Sequence, residues 1–145
     1  MIGPYQIVGE RFWFGKTFYD GEGNTGVGGF GYFDPEERKY GVFSPPELAD
    51  WSASALLVEE KDIWLGLVRH PEGAPYSGGL LRYERDSGEA EKFDVHDVIS
   101  QIKRWRGPLY LATANGLYIL QDDRVKRYVF EPALDGGTAI FKSQP

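Results

Sequence analysis

The chain has 145 residues, of which 41% are hydrophobic and 15% aromatic, enough to build one domain with a substantial core. Its 22 acidic and 16 basic residues give a net charge of -6, and no run of Lys and Arg offers the positive surface that a phosphate backbone attracts. Nucleic acid is therefore not expected as a partner. The absence of cysteine excludes disulfides, thiol nucleophiles and thiolate metal sites.

No apolar run approaches the roughly 20 residues of a membrane span, and the N-terminal stretch lacks the basic segment and apolar run of a signal peptide. We therefore expect a soluble chain with no membrane partner. The cellular compartment stays undetermined.

Along the chain, an aromatic motif recurs three times. The pattern of an apolar, an aromatic, an apolar and a small residue occurs at 11–15 ("RFWFG"), 62–66 ("DIWLG") and 108–112 ("PLYLA"). The central aromatic residues, Trp13, Trp64 and Tyr110, are separated by 51 and then 46 residues. A repeat of this length is typical of propeller blades, in which such residues pack between sheets.

A second, glycine-led motif follows each aromatic one, at "GFGYFD", "GLLRYE" and "GLYILQ". A phenylalanine stands at the same distance beyond each copy, at Phe43, Phe93 and Phe130. The constant interval predicts a hairpin of one length, with polar residues in its turn.

The sequence pattern thus predicts that each repeat forms four short strands in an antiparallel meander. The predicted fold is all-β, with three β-propeller blades at about 5–43, 53–93 and 99–130, in a single domain over 1–145. A C-terminal strand at 137–145 resembles the first strand of a further blade. A β-trefoil, which also has three four-stranded repeats, is the alternative fold.

The units resemble the two-component-regulator propeller repeat. The resemblance rests on "IWLG" at 63–66, "GGLLRYERDSGEAEKF" at 78–93, "VISQI" at 98–102 and "NGLYIL" at 115–120. It implies a β-propeller, and ligand-binding sensor domains are common in that family. It implies no particular activity.

Three blades are too few to close a propeller, since closed rings have about four to eight. A homodimer with six blades would close, and we expect this assembly.

The connections between strands predict where a ligand would bind. Second-to-third and fourth-to-first connections emerge at the same end of a meander, which we call the loop face. Three of them are long, at 16–29, 44–54 and 67–79, whereas the third blade has only 113–115. The residues on them expected to contact a glycan or another small molecule are Phe18, Tyr19, Asp50, Trp51, Arg69 and Tyr76.

Two further groups of residues on the loop face have a possible chemical role. Asp20, Glu22 and Asn24 alternate as in a calcium loop, but the glycine and the distal glutamate of that motif are missing, so a plain turn is favoured and no metal or cofactor is expected. The only histidines, His70 and His96, could act with a carboxylate such as Glu72.

Two functions follow from these residues. The first is a non-catalytic binding module that uses the loop face, which the lack of any Ser-His-Asp, phosphate-loop or His-cluster motif favours. The alternative is a propeller-type lyase or hydrolase, which requires His70, Glu72 and His96 to converge on one pocket.

Overall fold

A computed structural model describes residues 1–18, 28–71, 74–131 and 140–144, with the backbone alone for 130–131 and 140–144. These residues form three antiparallel sheets, each a meander in chain order. The only helix among them is a single 3-10 turn at Pro46–Leu48. No helix in this part of the chain is long and apolar enough to cross a membrane.

The first sheet contains β1 (Ile2–Val8), β2 (Arg11–Lys16), β3 (Phe30–Asp34) and β4 (Lys39–Phe43). The second contains β5 (Ser52–Val58), β6 (Asp62–Arg69), β7 (Tyr76–Glu84) and β8 (Ala90–Phe93). The third contains β9 (Ile99–Arg104), β10 (Leu109–Thr113), β11 (Gly116–Gln121), β12 (Arg124–Glu131) and β13 (Ile140–Gln144).

The three sheets pack face to face, with β5 lying between β1 and β9. The first strands of successive sheets are therefore neighbours, as they are around the axis of a propeller. The prediction of all-β, blade-like meanders is confirmed, and the β-trefoil alternative is wrong because each repeat forms a separate sheet. We call the sheets the first, second and third blades.

Two apolar cores lie between consecutive blades. We call the side of a blade that faces the preceding blade its front face, and the opposite side its back face. Trp13 on the back face of the first blade packs in one core, and Trp64 at the same place in the second blade packs in the other. Both are nearly fully buried. Tyr110, at the corresponding place in the third blade, is only half-buried.

The glycines that end the aromatic motifs allow the blades to approach closely. A Cβ on Gly66 would lie 2.9 Å from Cβ of Ile99 in the next blade, and a Cβ on Gly15 would overlap that of Ala53. The first strand of one blade therefore packs directly on the second strand of the blade before it. The third blade has Ala112 at this place.

The hairpin that closes each blade is not of one length. Phe43 pairs with Phe30 and Phe93 with Leu80, but the partner of Leu117 is Tyr128 and not Phe130. The third hairpin is shorter because Asp122 and Asp123 form a two-residue turn, with φ of 50° and 56°. Positive φ at both positions is the geometry of a tight type I′ hairpin, which aspartate tolerates.

The C-terminal strand also differs from its expected role. It pairs with β12 at the outer edge of the third blade, from Arg127↔Gln144 to Glu131↔Ile140. The sequence suggested the first, innermost strand of a further blade. In the folded chain, the backbone groups of β12 provide the edge to which this strand is hydrogen-bonded.

Candidate functional site

Two connections meet at Trp51 on the loop face. The backbone N–H of Gly28, at the end of the first long loop, donates to the carbonyl of Trp51 at 2.9 Å. Trp51 in turn donates to the carbonyl of Leu48 at 3.0 Å, which fixes the connection between β4 and β5. The backbone N–H of Phe18 donates to Oγ of Ser52 at 3.4 Å. The first long loop and the β4–β5 connection are thus joined at this point.

The indole of Trp51 packs on the second blade. A Cβ on Gly78 would lie 2.5 Å from Cε3 of the indole, so the ring rests directly on the glycine backbone. The guanidinium of Arg69 lies 5.1 Å from the ring centroid, and the ammonium of Lys92 lies 4.9 Å from it. Trp51 is half-buried against the core between the first and second blades. The ring of Trp51 therefore packs against the second blade, with the cationic groups of Arg69 and Lys92 close to it.

The exposed aromatic groups of the loop face stand beside this centre. Tyr76 is 60% exposed and pairs across the strands with Arg69, while Phe18 is 37% exposed. Asp50 is exposed and has a φ of 67°, in the left-handed region that short polar residues enter most easily. Tyr19 lies outside the described residues. The accessible part of the predicted ligand set is therefore Tyr76, Arg69, Phe18 and Asp50.

The histidines occupy separate connections. His70 directly follows β6, and His96 lies exposed between β8 and β9. Within the described residues, no hydrogen bond or ion pair joins them to each other. Glu72, the carboxylate considered with them, lies outside the described residues.

A carboxylate next to His96 has partners that the sequence did not indicate. One oxygen of Asp97 accepts a hydrogen bond from Nδ2 of Asn115 at 2.9 Å, and the other accepts from the hydroxyl of Tyr118 at 2.8 Å. Arg127 lies 3.3 Å from the second oxygen. The only available signal was the brevity of the third blade's loop, which brings Asn115 close to the sheet.

These contacts set the protonation of the pair. Burial raises the pKa of Asp97, but the hydrogen bonds from Asn115 and Tyr118 and the charge of Arg127 outweigh it, so the pKa is lowered overall. Burial, together with the hydrogen bond to Asp97, raises the pKa of Tyr118 to about 12. Asp97 is thus a structural anion that joins the second and third blades.

Ser77 reinforces this junction. Its hydroxyl is 2.6 Å from the carbonyl oxygen of Val95 and 3.0 Å from that of Asp97, and its Oγ accepts from the backbone N–H of Gly79 at 3.1 Å. The β8–β9 connection is therefore held against β7 as well as against the third blade.

The weak metal candidates Asp20, Glu22 and Asn24 lie outside the described residues. Elsewhere, in the part of the chain that the structure describes, no group of three or more His, Asp or Glu side chains is placed to hold a metal ion.

A second concave surface runs along the first strands of the blades, where a propeller has its channel. It is a groove of about 350 Å³. Its walls come from all three blades: Gly3, Pro4, Tyr5, Ala55, Leu56, Ser100, Gln101, Ile102 and Lys103. The sequence did not predict this groove, because the groove depends on how the three blades are placed around the axis.

Comparison with known proteins bears on the fold. No protein-family profile matches this chain, and no curated protein matches it. Among solved structures, it is similar to the extracellular domain of a protein from B. thetaiotaomicron assigned as a hybrid two-component system. The two chains share a fold. The similarity has a TM-score of 0.57 at 15% identity and covers 90% of this chain but only 22% of the other.

This neighbour is consistent with the resemblance to the two-component-regulator propeller repeat. The level of identity extends the likeness to the fold alone. Because this chain spans 22% of the neighbour's length, the activity and partners of that protein do not transfer to it.

Proposed function

We propose that this chain is a non-catalytic binding module whose loop face contacts a glycan or another small molecule. The observation that carries the proposal is the meeting of the long connections at Trp51, beside the exposed rings of Tyr76 and Phe18. Binding residues are commonly found on loops that a rigid scaffold positions, and the sheets provide such a scaffold here.

The chemistry of this surface suits a ring-shaped, polar ligand. Tyr76 presents an aromatic face and a hydroxyl, which together can stack on a sugar ring and hydrogen-bond to it. Arg69 stands directly across the strand pair from Tyr76 and adds five donors in a fixed geometry. A ligand that carries a hydroxyl-rich ring, with or without a carboxylate, matches this pair.

The fold supports a role in recognition. The neighbouring structure is an extracellular domain of a protein assigned as a hybrid two-component system, and such a domain is the part that can meet a ligand outside the cell. We extend this role to the present chain as a proposal.

The catalytic alternative receives less support from the geometry. A general base must reach its proton directly or through one water, and it is usually oriented by a third group. His70 and His96 lie on separate connections, and the carboxylate beside His96 is already bound by Asn115 and Tyr118. Asp97, Asn115 and Tyr118 instead form part of the contact between the second and third blades.

The test is a binding screen with a panel of neutral and acidic oligosaccharides, followed by thermal unfolding and by quenching of tryptophan fluorescence. We expect at least one oligosaccharide to raise the melting temperature in a saturable manner. Tyr76→Ala should weaken its binding by tenfold or more, which corresponds to about 1.4 kcal/mol of binding free energy. Aromatic residues at the centre of a binding site commonly contribute at least this much.

The matched control is Trp105→Ala, which removes an aromatic side chain that is also exposed but lies between β9 and β10, at the end of the blade opposite the loop face. Equal affinity of wild type and Tyr76→Ala for the bound oligosaccharide would contradict the proposed site, and no binding across the panel would contradict the glycan class. Cleavage of the bound oligosaccharide on prolonged incubation would contradict the non-catalytic assignment.

A further inference from the structure

The front face of the first blade is an exposed apolar surface. Its residues alternate along four strands and lie opposite one another in register, as in the row of Ile7, Phe12, Phe33 and Tyr40. The exposed fraction of its most accessible side chains runs from 42% for Phe33 to 76% for Tyr40. The large apolar residues of this face are Ile2, Tyr5, Ile7, Phe12, Phe14, Phe33, Tyr40 and Val42. Soluble domains rarely leave so many large apolar groups together in solvent, and such a patch marks an interaction surface.

The repeat identifies what this surface is built to contact. The place of Phe33 in the first blade is taken by Leu120 in the third, where it is 5% exposed. The place of Phe12 is taken by Ile63 and Leu109, each 1% exposed. The back face of the preceding blade buries both positions in the third blade and the place of Phe12 in the second, where Tyr83 at the place of Phe33 is partly buried. The front face of the first blade therefore has the composition of a blade junction.

The back face of the third blade is the matching half of such a junction. The positions that pack against a following blade are Trp13, Gly15, Phe30 and Phe43 in the first blade, and Trp64, Gly66, Leu80 and Phe93 in the second. In the third blade they are Tyr110, Ala112, Leu117 and Tyr128. Aromatic, small, apolar and aromatic residues thus recur in the same order. Within the described residues, no further sheet covers this face.

The two faces also match in chemistry, because cations on one face can lie over the aromatic rings of the other, although Asp122 also lines the back-face groove. The back face of the third blade borders a groove of about 510 Å³ that is lined by Tyr110, Ile119, Tyr128, Arg124 and Lys126, among others. The front face of the first blade is dominated by aromatic rings. Cations over aromatic rings already join the blades of this chain, as where Arg85 lies 5.2 Å from the ring of Trp13.

We propose that the front face of the first blade packs on the back face of the third blade in a second copy of this chain. Two such contacts, related by a two-fold axis along the channel, close a ring of six blades. Six lies within the range of about four to eight blades in which propellers close. The groove along the first strands then becomes one half of a shared channel.

The inner contact of this junction can be named. Ala53 packs on Gly15 and Ile99 on Gly66, and the corresponding pair across the proposed junction is Ile2 on Ala112 of the second copy. Because Ala112 has a methyl group where the other blades have Gly15 and Gly66, Ile2 should lie further from its partner strand than Ala53 and Ile99 lie from theirs. The junction between copies is therefore less tight than those within the chain, and dissociation on dilution is expected.

Light scattering on the full chain tests the proposal. The wild type should have twice the mass of the 16.4 kDa chain at micromolar concentration. Phe33→Arg on the front face and Leu117→Arg on the back face should each shift the protein to the single-chain mass, because each places an unpaired charge in the junction. Tyr76→Arg, a matched change on the loop face, should remain a dimer.

Mixing the two variants separates a lost interface from lost folding. Phe33→Arg retains an intact back face and Leu117→Arg an intact front face, so their mixture can form one unaltered junction and should recover a dimer. A wild type that stays at the single-chain mass would overturn the proposal. A dimer that survives both arginine variants, or two folded variants whose mixture stays monomeric, would overturn it equally.

Discussion

The guanidinium of Arg104 in the third blade donates hydrogen bonds to both carboxylate oxygens of Glu59 in the second blade. Its Nε lies 2.6 Å from Oε1 and its Nη2 lies 2.7 Å from Oε2. The indole Nε1–H of Trp64 donates to the same Oε2 at 3.0 Å. A bidentate arginine–carboxylate pair is a strong form of hydrogen bond, and this one spans the junction between two blades directly beside its core.

Glu59→Gln should therefore destabilise the protein, by about 1–2 kcal/mol at neutral pH after allowance for solvent screening. The hydrogen bond from Arg104 lowers the pKa of Glu59; partial burial raises it, and the bond from Trp64 lowers it further, for a net decrease. A lowered pKa in the folded state means that the contribution is present above the unfolded value of 4.5 and is lost as the pH falls through the folded value.

Urea unfolding at a series of pH values measures this effect. The difference in unfolding free energy between wild type and Glu59→Gln should shrink as the pH falls below about 4.5. Glu60→Gln, which changes the exposed neighbour, should show no such difference. A constant difference across the acidic range would show that the ion pair is not its source.

Trp64→Ala should lower the unfolding free energy by about 3–5 kcal/mol, because it empties the core between the second and third blades. Trp105→Ala removes the same side chain where it is 57% exposed and touches Tyr110 edge-on. Its effect should stay within about 1 kcal/mol. Equal melting temperatures for the two variants would contradict the assignment of the core.

Tyr118→Phe should raise the pKa of Asp97, because it deletes one of the two side-chain hydrogen bonds that stabilise the carboxylate. The side-chain carboxyl resonance of Asp97, followed by NMR as a function of pH, reports this change. Tyr76→Phe deletes an exposed hydroxyl and should leave the titration of Asp97 unaltered. If Asp97 titrates identically in Tyr118→Phe and in wild type, the hydrogen bond from Tyr118 does not stabilise the Asp97 carboxylate.

Gly66→Ala should destabilise the junction between the second and third blades by about 1–3 kcal/mol, the usual range for overpacking. The added methyl carbon would lie 2.8 Å from Oγ of Ser54 and 2.9 Å from Cβ of Ile99. Thermal unfolding measures the cost. Ala112→Gly at the same place in the third blade is the control, and it should cost less because no neighbouring blade of the same chain presses on it. A Gly66→Ala variant as stable as wild type would mean that the blades have room to separate.

The repeat of aromatic and glycine-led motifs determined the fold by itself. Each motif is local, and its pattern records which side of a strand is buried, so the three meanders and the burial of Trp13 and Trp64 followed from the printed sequence. Even the long connections of the loop face were visible as breaks between strands.

Only the tertiary structure decided how these parts meet. The sequence aligned Phe130 with Phe43 and Phe93, but the pairing of two strands in a hairpin depends on the geometry of the turn. Because Asp122 and Asp123 adopt the left-handed conformation in a two-residue turn, Tyr128 and not Phe130 pairs with Leu117. The sequence predicted Trp51 as an exposed loop aromatic, but its ring packs directly on the backbone of Gly78, where any side chain would block it.

The partners of Asp97 and Glu59 show the same limit. Asp97 is bound by Asn115 and Tyr118, and Glu59 by Arg104, across distances of 18 to 45 residues along the chain. A repeat predicts what each blade contains, because its strands are neighbours in sequence. It does not predict contacts between blades, because these depend on the angle and spacing at which separate sheets pack, and no local pattern encodes that arrangement.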